Sequence, residues 1–173
     1  MAHDFPKEAS TQLFRDAMAQ LPAAVHVVTT MGKAGLHGTT VTAFSSLSDE
    51  PPSVLVCVNR KSRIHDVLRD NGCFCVNQLS GGQDAVAAAF ANSALGVEDR
   101  FDKTGPWHEW TDPLGATHRA HPEAAGSLTC ELVSILDGYS HSIFIGRVTG
   151  IALRDGASAL AYYRRGFEKI GGE

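Results

Sequence analysis

The chain lacks most of the signatures that mark common catalytic classes. No G-x-G-x-x-G and no G-x-x-x-x-G-K-[ST] occurs, which excludes the glycine-rich phosphate loops of dinucleotide-binding folds and of P-loop enzymes. Neither G-x-S-x-G nor H-E-x-x-H is present, so the nucleophile elbow and the zincin helix are also absent. Cysteine is sparse, at Cys57, Cys73, Cys75 and Cys130, and never arranged as C-x-x-C. That excludes a zinc ribbon and reads as buried thiols in a reducing compartment. No run approaches the roughly 20 apolar residues that span a bilayer. Met1 to Glu8 has no apolar segment behind a basic start, so no secretory leader is expected. Basic residues are in deficit, with Lys+Arg 15 against Asp+Glu 19 and a net charge of −4. Arg60-Lys61-Ser62-Arg63 and Arg164-Arg165 are too short to form a nucleic-acid surface. The expectation is a soluble, cytoplasmic protein with no membrane or nucleic-acid partner.

What is present is ordinary globular material: 173 residues, 43% hydrophobic and 20% charged, with 17 glycines. That length predicts one domain over 1–173, with residues 1–10 as a flexible tail. Leu13, Phe14, Ala17, Met18 and Leu21 recur at helical spacing, predicting an amphipathic helix over Thr11–Leu21 that Pro22 stops. β-branched residues then predict a hairpin of Val25–Thr30 and Thr39–Leu47 around Gly32-Lys33-Ala34-Gly35. Ser53–Asn59 reads as a strand buried on both faces. Ser62 caps a helix bearing Ile64, Val67 and Leu68, and Asn71-Gly72 closes it before a strand over Cys73–Leu79. Ser80-Gly81-Gly82-Gln83 has the form of a capping box for a helix with Val86, Ala87, Phe90 and Ala91 on one stripe.

From Gly96 to Ala125 periodicity fails, and the segment reads as an irregular lid, loop or arm carrying Trp107 and Trp110. Ser127–Leu136 and Ser142–Leu153 form a strand pair, and the last segment, with Leu160, Tyr163, Phe167 and Ile170, reads as a short helix or an extended tail. Six strand-like runs in mostly hairpin adjacency predict a mainly β fold, an antiparallel, Greek-key-like barrel with accessory helices. Gly146 and Gly150 fall mid-strand, where a barrel turns a corner or backbones approach closely.

Candidate chemistry is thin. His118 and His121 lie three apart in a proline-flanked stretch with Glu123 as the one nearby carboxylate, which gives little support to a metal site. The distinctive feature is a run of small hydroxyl residues on strand ends, Gly38 to Ser46, joined by Asn59, Ser62 and Asn77. Backbone amides flanked by small side chains suit the flat face and carbonyls of a heteroaromatic ring, and Ser with Arg or Lys at a helix start suits its phosphate.

These residues fall into a recognisable order. Phe14-Arg15-Asp16-Ala17-Met18, Val27-Val28-Thr29-Thr30, Gly38-x-Thr40-Val41-Thr42-Ala43-Phe44, Pro51-Pro52-x-Val54-Leu55-Val56-Cys57-Val58-Asn59 and Phe74-Cys75-Val76-Asn77-x-Leu79 resemble the short-chain flavin reductases. Arg100-Phe101, His141-x-Ile143-Phe144-Ile145-Gly146-Arg147-Val148 and Leu160-Ala161-Tyr162-Tyr163 continue the resemblance, which runs from about Leu13 to Phe167. The family includes reductase components of two-component flavin monooxygenases, among them those of pyrimidine degradation and hydroxyphenylacetate oxidation, and a corrinoid reductase. The resemblance implies an FMN-binding split β-barrel, a homodimer, FMN or FAD as flavin, and NADH or NADPH as electron donor.

It also implies site residues. Thr40, Val41, Thr42 and Ala43, with Ser46 further along, match the strand end against the flavin ring. Asn59, Lys61, Ser62 and Arg63 match the loop and helix start near ribityl and phosphate. Val76 and Asn77 match a strand at the ring edge, Arg100-Phe101 a loop near the phosphate or nucleotide tail, and Tyr163 with Phe167 an aromatic tail over the pocket. His141 matches the histidine beside the nicotinamide, the one expected catalytic position, and no metal is implied. Many relatives carry Gly-Asp-His there, whereas this chain has Gly138-Tyr139-Ser140-His141, one residue longer and without the carboxylate that orients the imidazole. Three readings follow: a reductase supplying reduced flavin to an oxygenase, a flavoenzyme with tightly held flavin reducing another acceptor such as a cobalt corrinoid, and a non-enzymatic flavin-binding carrier.

Overall fold

The computed structural model describes residues 8–172. Of the expected tail, residues 1–7 lie outside the described residues, and Ser10 already caps the first helix by accepting a hydrogen bond from the Leu13 amide at 3.1 Å. That helix, α1 (Thr11–Met18), is shorter than its apolar repeat, and none of its residues is buried. Leu13, Phe14, Met18 and the following Leu21 all stay exposed.

The first strands are β1 (Ala23–Ala24), β2 (His26–Thr30), β3 (His37–Val41), β4 (Phe44–Asp49) and β5 (Pro52–Asn59). Then come α2 (Arg63–Asn71), β6 (Cys73–Gln78), α3 (Asp84–Ala91) and α4 (Val97–Asp102). The chain ends with β7 (His108–Thr111), β8 (Thr117–Ala120), β9 (Gly126–Gly138), β10 (His141–Leu153), β11 (Ala159–Tyr163) and β12 (Gly166–Ile170). Seven of the strands form one sheet in the order β3-β2-β6-β9-β10-β5-β4, antiparallel at every step.

That order explains why the run Thr39–Leu47 is two strands rather than one. β3 and β4 are the opposite edges of the sheet, yet only Thr42 and Ala43 separate them in the chain. A flat seven-stranded sheet would set its edges nearly 30 Å apart, at about 4.8 Å per strand. A few extended residues reach only ~10 Å. The sheet must therefore curl until its edges nearly meet, and no ladder joins β3 to β4 among the described residues. The result is a barrel split along one seam.

Alternation along the strands sorts two cores. Val28, Val54, Val56, Val58, Phe74, Val76 and Phe144 pack with Ile64 and Leu68 of α2, while Val27, Leu79, Val86, Phe90, Phe101 and Trp107 pack under α3 and α4. β5 buries Val54, Val56 and Val58 but leaves Ser53, Leu55 and Cys57 half-buried, so it covers one face of the core rather than being enclosed on both. β10 shifts register against β9 at Gly146 and again before Gly150. A Cβ on Gly146 would meet the Phe74 ring, and one on Gly150 would come within 2.8 Å of Thr129 Oγ1. Gly146→Ala should therefore lose about 1–3 kcal/mol of stability by overpacking, measured by equilibrium urea unfolding at fixed protein concentration.

Three local expectations are corrected. Gly96–Ala125 is ordered: α4 is followed by the β7–β8 hairpin, whose turn is held by Asp112 Oδ1 accepting from the Leu114 and Ala116 amides at 3.0 and 2.9 Å. The C-terminal segment is neither helix nor tail but the hairpin β11–β12, which joins β1 in a three-stranded sheet and turns at Arg164 and Arg165 with φ of 47° and 66°. At Ser80–Gln83 the Gln83 carboxamide accepts from the Ser80 amide at 2.9 Å, and the helix begins only at Asp84.

Candidate functional site

The seam opens into a cleft of about 230 Å³ lined by Thr39, Thr40, Val41, Thr42, Ala43, Cys57, Val58, Asn59, Ser62 and His141. β3 and the linker supply one wall. Thr40 turns its hydroxyl away to donate to Ala87 O of α3 at 2.7 Å, which fixes the strand end against the helix. The other wall is set by register: β10 pairs with β5 so that His141 stands opposite Asn59, Ser142 opposite Val58 and Ile143 opposite Cys57.

Asn59 shapes the step from strand to helix. Its Oδ1 accepts from the Lys61 amide at 2.9 Å, and its carbonyl accepts from the Ser62 amide at 3.0 Å and the Ser62 hydroxyl at 2.8 Å. The Ser62 hydroxyl is thereby drawn back from α2, whose first turn has no side-chain cap. A helix N-terminus left in this state presents donors and a positive dipole end.

Beside this helix start lies a second cleft of about 380 Å³, adjoining the first, with Thr39 and Ser62 lining both. His37, Lys61, Arg63 and Arg100 line it together with Phe90, Ser93, Leu95 and Val97, and no carboxylate does. Arg100 is 8% exposed, donates to Gly38 O at 2.9 Å and to Asn92 O at 3.0 Å, and keeps Nε without a partner. Burial, reinforced by the charge of Arg63, lowers its pKa, but a guanidinium stays protonated in a protein. Burial and the neighbouring Arg100 charge also lower the His37 pKa, so this imidazole is neutral near pH 7. Cationic groups converging without a counter-ion on an uncapped helix start form a place for an anion.

The structure thus brings together Thr40, Val41, Thr42, Ala43, Asn59, Ser62 and His141 in the first cleft, and Lys61, Arg63 and Arg100 in the second. Six expected positions lie elsewhere. Val76 is wholly buried in the core. Asn77 is wholly buried too, donating to Val27 O at 3.1 Å and accepting from the His121 amide at 2.9 Å and Ser127 Oγ at 3.0 Å, so it knits strands together rather than facing a ligand. Phe101 packs against Phe90 and Trp107 with ring centroids 5.0 and 5.1 Å away. Tyr163 and Phe167 sit on the C-terminal hairpin, where Phe167 packs on Tyr162 at 5.5 Å, and neither lines the clefts of its own chain. Ser46 is exposed on β4 and also lines neither cleft.

Thr39, from the same hydroxyl run, also lines both clefts; Cys57, Val58 and His37 line them without having been expected there, and the signal for each is only adjacency to Thr40, Asn59 or Gly38. Trp107 is buried and donates to Thr104 Oγ1 at 2.9 Å. His118 and His121 have separate partners: His118 contacts Asp112 Oδ2 at 3.3 Å, and His121 contacts Gln83 Nε2 and Thr104 O, each at 3.0 Å. No group of three or more His, Cys, Asp or Glu side chains placed to hold a metal occurs among the described residues.

This is a small protein built on a curled antiparallel sheet, with a seam beside a cleft lined by cationic side chains. The family model for the flavin reductase like domain matches residues 18–171, and the chain belongs to that family. It is 35% identical over 164 residues, 94% of each chain, to the 4-hydroxyphenylacetate 3-monooxygenase reductase component of Pseudomonas aeruginosa. It is 38% identical to FMN reductase (NADH) RutF 2 of Rhizobium rhizogenes, over 92% of this chain and 88% of the relative. Among solved structures, BorF, the flavin reductase component of a bacterial two-component tryptophan halogenase, superimposes with a TM-score of 0.85 at 28% identity, covering 95% of this chain and all of that one. The NADH:FAD oxidoreductase SgcE6 of Streptomyces globisporus gives 0.85 at 25% identity over 99% of both.

Proposed function

We propose that this protein is an NADH-dependent flavin reductase that supplies reduced flavin, FMN in the first place, to a separate oxygenase. The observation that carries this reading is that the seam adjoins the carboxylate-free cationic cleft, with Thr39 and Ser62 common to both, which fits a flavin ring at one end and its phosphate at the other. The partnerless Nε of buried Arg100 fits the same assignment, because a buried charge without a counter-ion is costly until an anion arrives. NADH as donor and FMN or FAD as acceptor are supported by the names of the relatives.

Bound flavin would supply the redox chemistry by accepting a hydride from the nicotinamide. The task of the chain is then geometric. Thr40, Val41, Thr42 and Ala43 flank the ring with backbone groups and small side chains, Val58 adds an apolar wall, and Asn59 shapes the loop that presents Lys61, Ser62 and Arg63 to the phosphate. His141 stands on the rim where a nicotinamide would enter. His141→Ala should slow reduction of flavin by NADH tenfold or more while changing flavin affinity less than about threefold, read by anaerobic stopped-flow.

A cleft of about 230 Å³ is smaller than the several hundred Å³ usual for ligands of this size. Two copies sharing the site would complete it, a reading supported by the exposed apolar side chains of Leu13, Phe14 and Met18 on α1 and of Leu47 on β4. Tyr163 and Phe167 then have a route to a pocket that is not their own. A cytoplasmic setting suits the four free cysteines, and no helix among the described residues is long and apolar enough to cross a membrane.

The deciding experiment is NADH consumption by the purified protein with and without added FMN or FAD. Consumption that depends on added flavin supports the proposal, and none with either flavin overturns it. A yellow preparation that keeps its flavin through gel filtration, and bleaches with NADH, would replace it with a flavoenzyme serving another acceptor, such as a corrinoid.

A further inference from the structure

We propose that Ser140 is a positioning residue for His141. By donating its hydroxyl proton to Nδ1, it holds the neutral imidazole with Nε2–H turned to the cleft. This rests on the reading of the cleft as a flavin and nicotinamide site. The observation is a 2.9 Å contact between Ser140 Oγ and His141 Nδ1 at the mouth of the seam.

The turn that carries this pair is pinned independently of any ligand. Asp137 Oδ1 accepts from Arg60 Nη1 at 2.7 Å and from the Tyr139 amide at 3.2 Å, and Ser140 O accepts from the Arg60 amide at 3.1 Å. Tyr139 takes the left-handed conformation at φ 66°, which absorbs the extra residue of the turn. Asp137, the carboxylate of this turn, is thus committed to Arg60 and the turn backbone, and the hydroxyl of Ser140 is left as the group at Nδ1. On the far side His65 Nε2 bonds to Ser142 Oγ at 2.9 Å, so the second histidine of this region has its own partner.

The difference from a carboxylate is chemical. A carboxylate only accepts, so it enforces Nδ1–H and favours the imidazolium; a hydroxyl can donate, and carries no charge. With Nδ1 accepting, Nε2–H is a donor toward the cleft, matched to the carbonyl oxygens that flavin and the nicotinamide carboxamide both display. As hydride passes from the dihydronicotinamide C4 to bound flavin, the pyridine ring would become cationic, and an uncharged hydroxyl at Nδ1, unlike a carboxylate, does not favour a second cation on the rim.

The test uses the full chain and reads the imidazole directly, by ¹⁵N–¹H correlation of ¹⁵N-histidine-labelled, flavin-free protein at a pH where the ring is neutral. Parent and Ser140→Thr should show His141 protonated at Nε2, and Ser140→Asp should move the proton to Nδ1. Ser140→Asp should also lower the NADH-driven reduction rate about tenfold, Ser140→Ala severalfold, and Ser140→Thr should recover most of the parent rate. Nδ1–H in the parent, or equal rates for the Ala, Asp and Thr variants, overturns the proposal. Because the tautomer is measured without flavin, it stays decisive even if NADH consumption shows the functional reading to be wrong.

Discussion

An Arg63→Glu variant should bind FMN about a hundredfold more weakly than the parent protein, while its affinity for riboflavin changes less than about threefold. The asymmetry follows from where the charge sits. Arg63 opens α2 and lines the cationic cleft but not the seam, so with flavin bound as proposed it would meet the phosphate and not the ring. Reversal removes a charge-assisted donor and puts a carboxylate beside a site that has none. Fluorescence quenching titrations with FMN and with riboflavin at one fixed ionic strength would read both constants, since exposed charge effects are screened by salt. Equal weakening of both ligands would place the phosphate elsewhere.

Folding stability should fall as pH drops from about 6.5 toward 4, and His26 should be the largest identified contributor, losing up to about 3 kcal/mol. His26 is 4% exposed, stacks on Phe44 with ring centroids 4.4 Å apart, and has no partner for Nδ1. Burial pushes its pKa down to about 4, from the ordinary imidazole value near 6.5. The unfolded chain therefore binds the extra proton first as pH falls. The stabilisation is complete above about pH 6.5 and is lost progressively as acid approaches the folded-state pKa. Burial lowers His37 and His118 in the same sense, and for His118 it outweighs the opposing pull of Asp112. Urea unfolding of the parent and of His26→Phe, near neutrality and at about pH 5, should show a markedly smaller acid loss in the variant. Parallel losses would remove His26 as the cause.

Much of the fold was legible because its long strands carry their own pattern: β-branched residues at β2 and β5, a short apolar run at β6, and the paired runs of β9 and β10. α2 was legible at both ends, from Ser62 and from Gly72, whose φ of 71° closes it. The strands that escaped notice lack the usual punctuation. β3 and β4 part at Thr42-Ala43, with neither glycine nor proline to mark the break. The C-terminal hairpin turns on two arginines at positive φ, where glycine or asparagine is the ordinary signal. β7 and β8 are four residues each, and their turn depends on a side chain, Asp112, that no period reveals.

The site divides along similar lines. Thr40 to Ala43 are contiguous, and Asn59, Lys61, Ser62 and Arg63 nearly so, and each group reaches the clefts together. Asn77 has the chemistry of a ligand-binding amide, but its neighbours Val27, His121 and Ser127 come from distant parts of the chain and use its hydrogen-bonding capacity. Only three-dimensional accounting exposes such a residue as structural. Cys57 is only half-buried because Val54, Val56 and Val58 turn into the core from the other face of β5, and at the strand end Cys57 and Val58 both reach the seam, a consequence of alternation hidden by reading the strand as buried on both faces.

The two-residue bridge between the sheet edges acts as a covalent ruler. In most pockets the aperture is a compromise among many side chains, each able to relax when a neighbour changes. At this mouth the spacing of the two rims is also bounded by the reach of one short stretch of backbone, which no rotamer can lengthen. Side-chain substitution along the seam can therefore retune contacts with little effect on width, whereas a single inserted residue between Val41 and Phe44 would regauge the opening for a ligand of different thickness. Affinity and aperture are in this way written into separate parts of the chain.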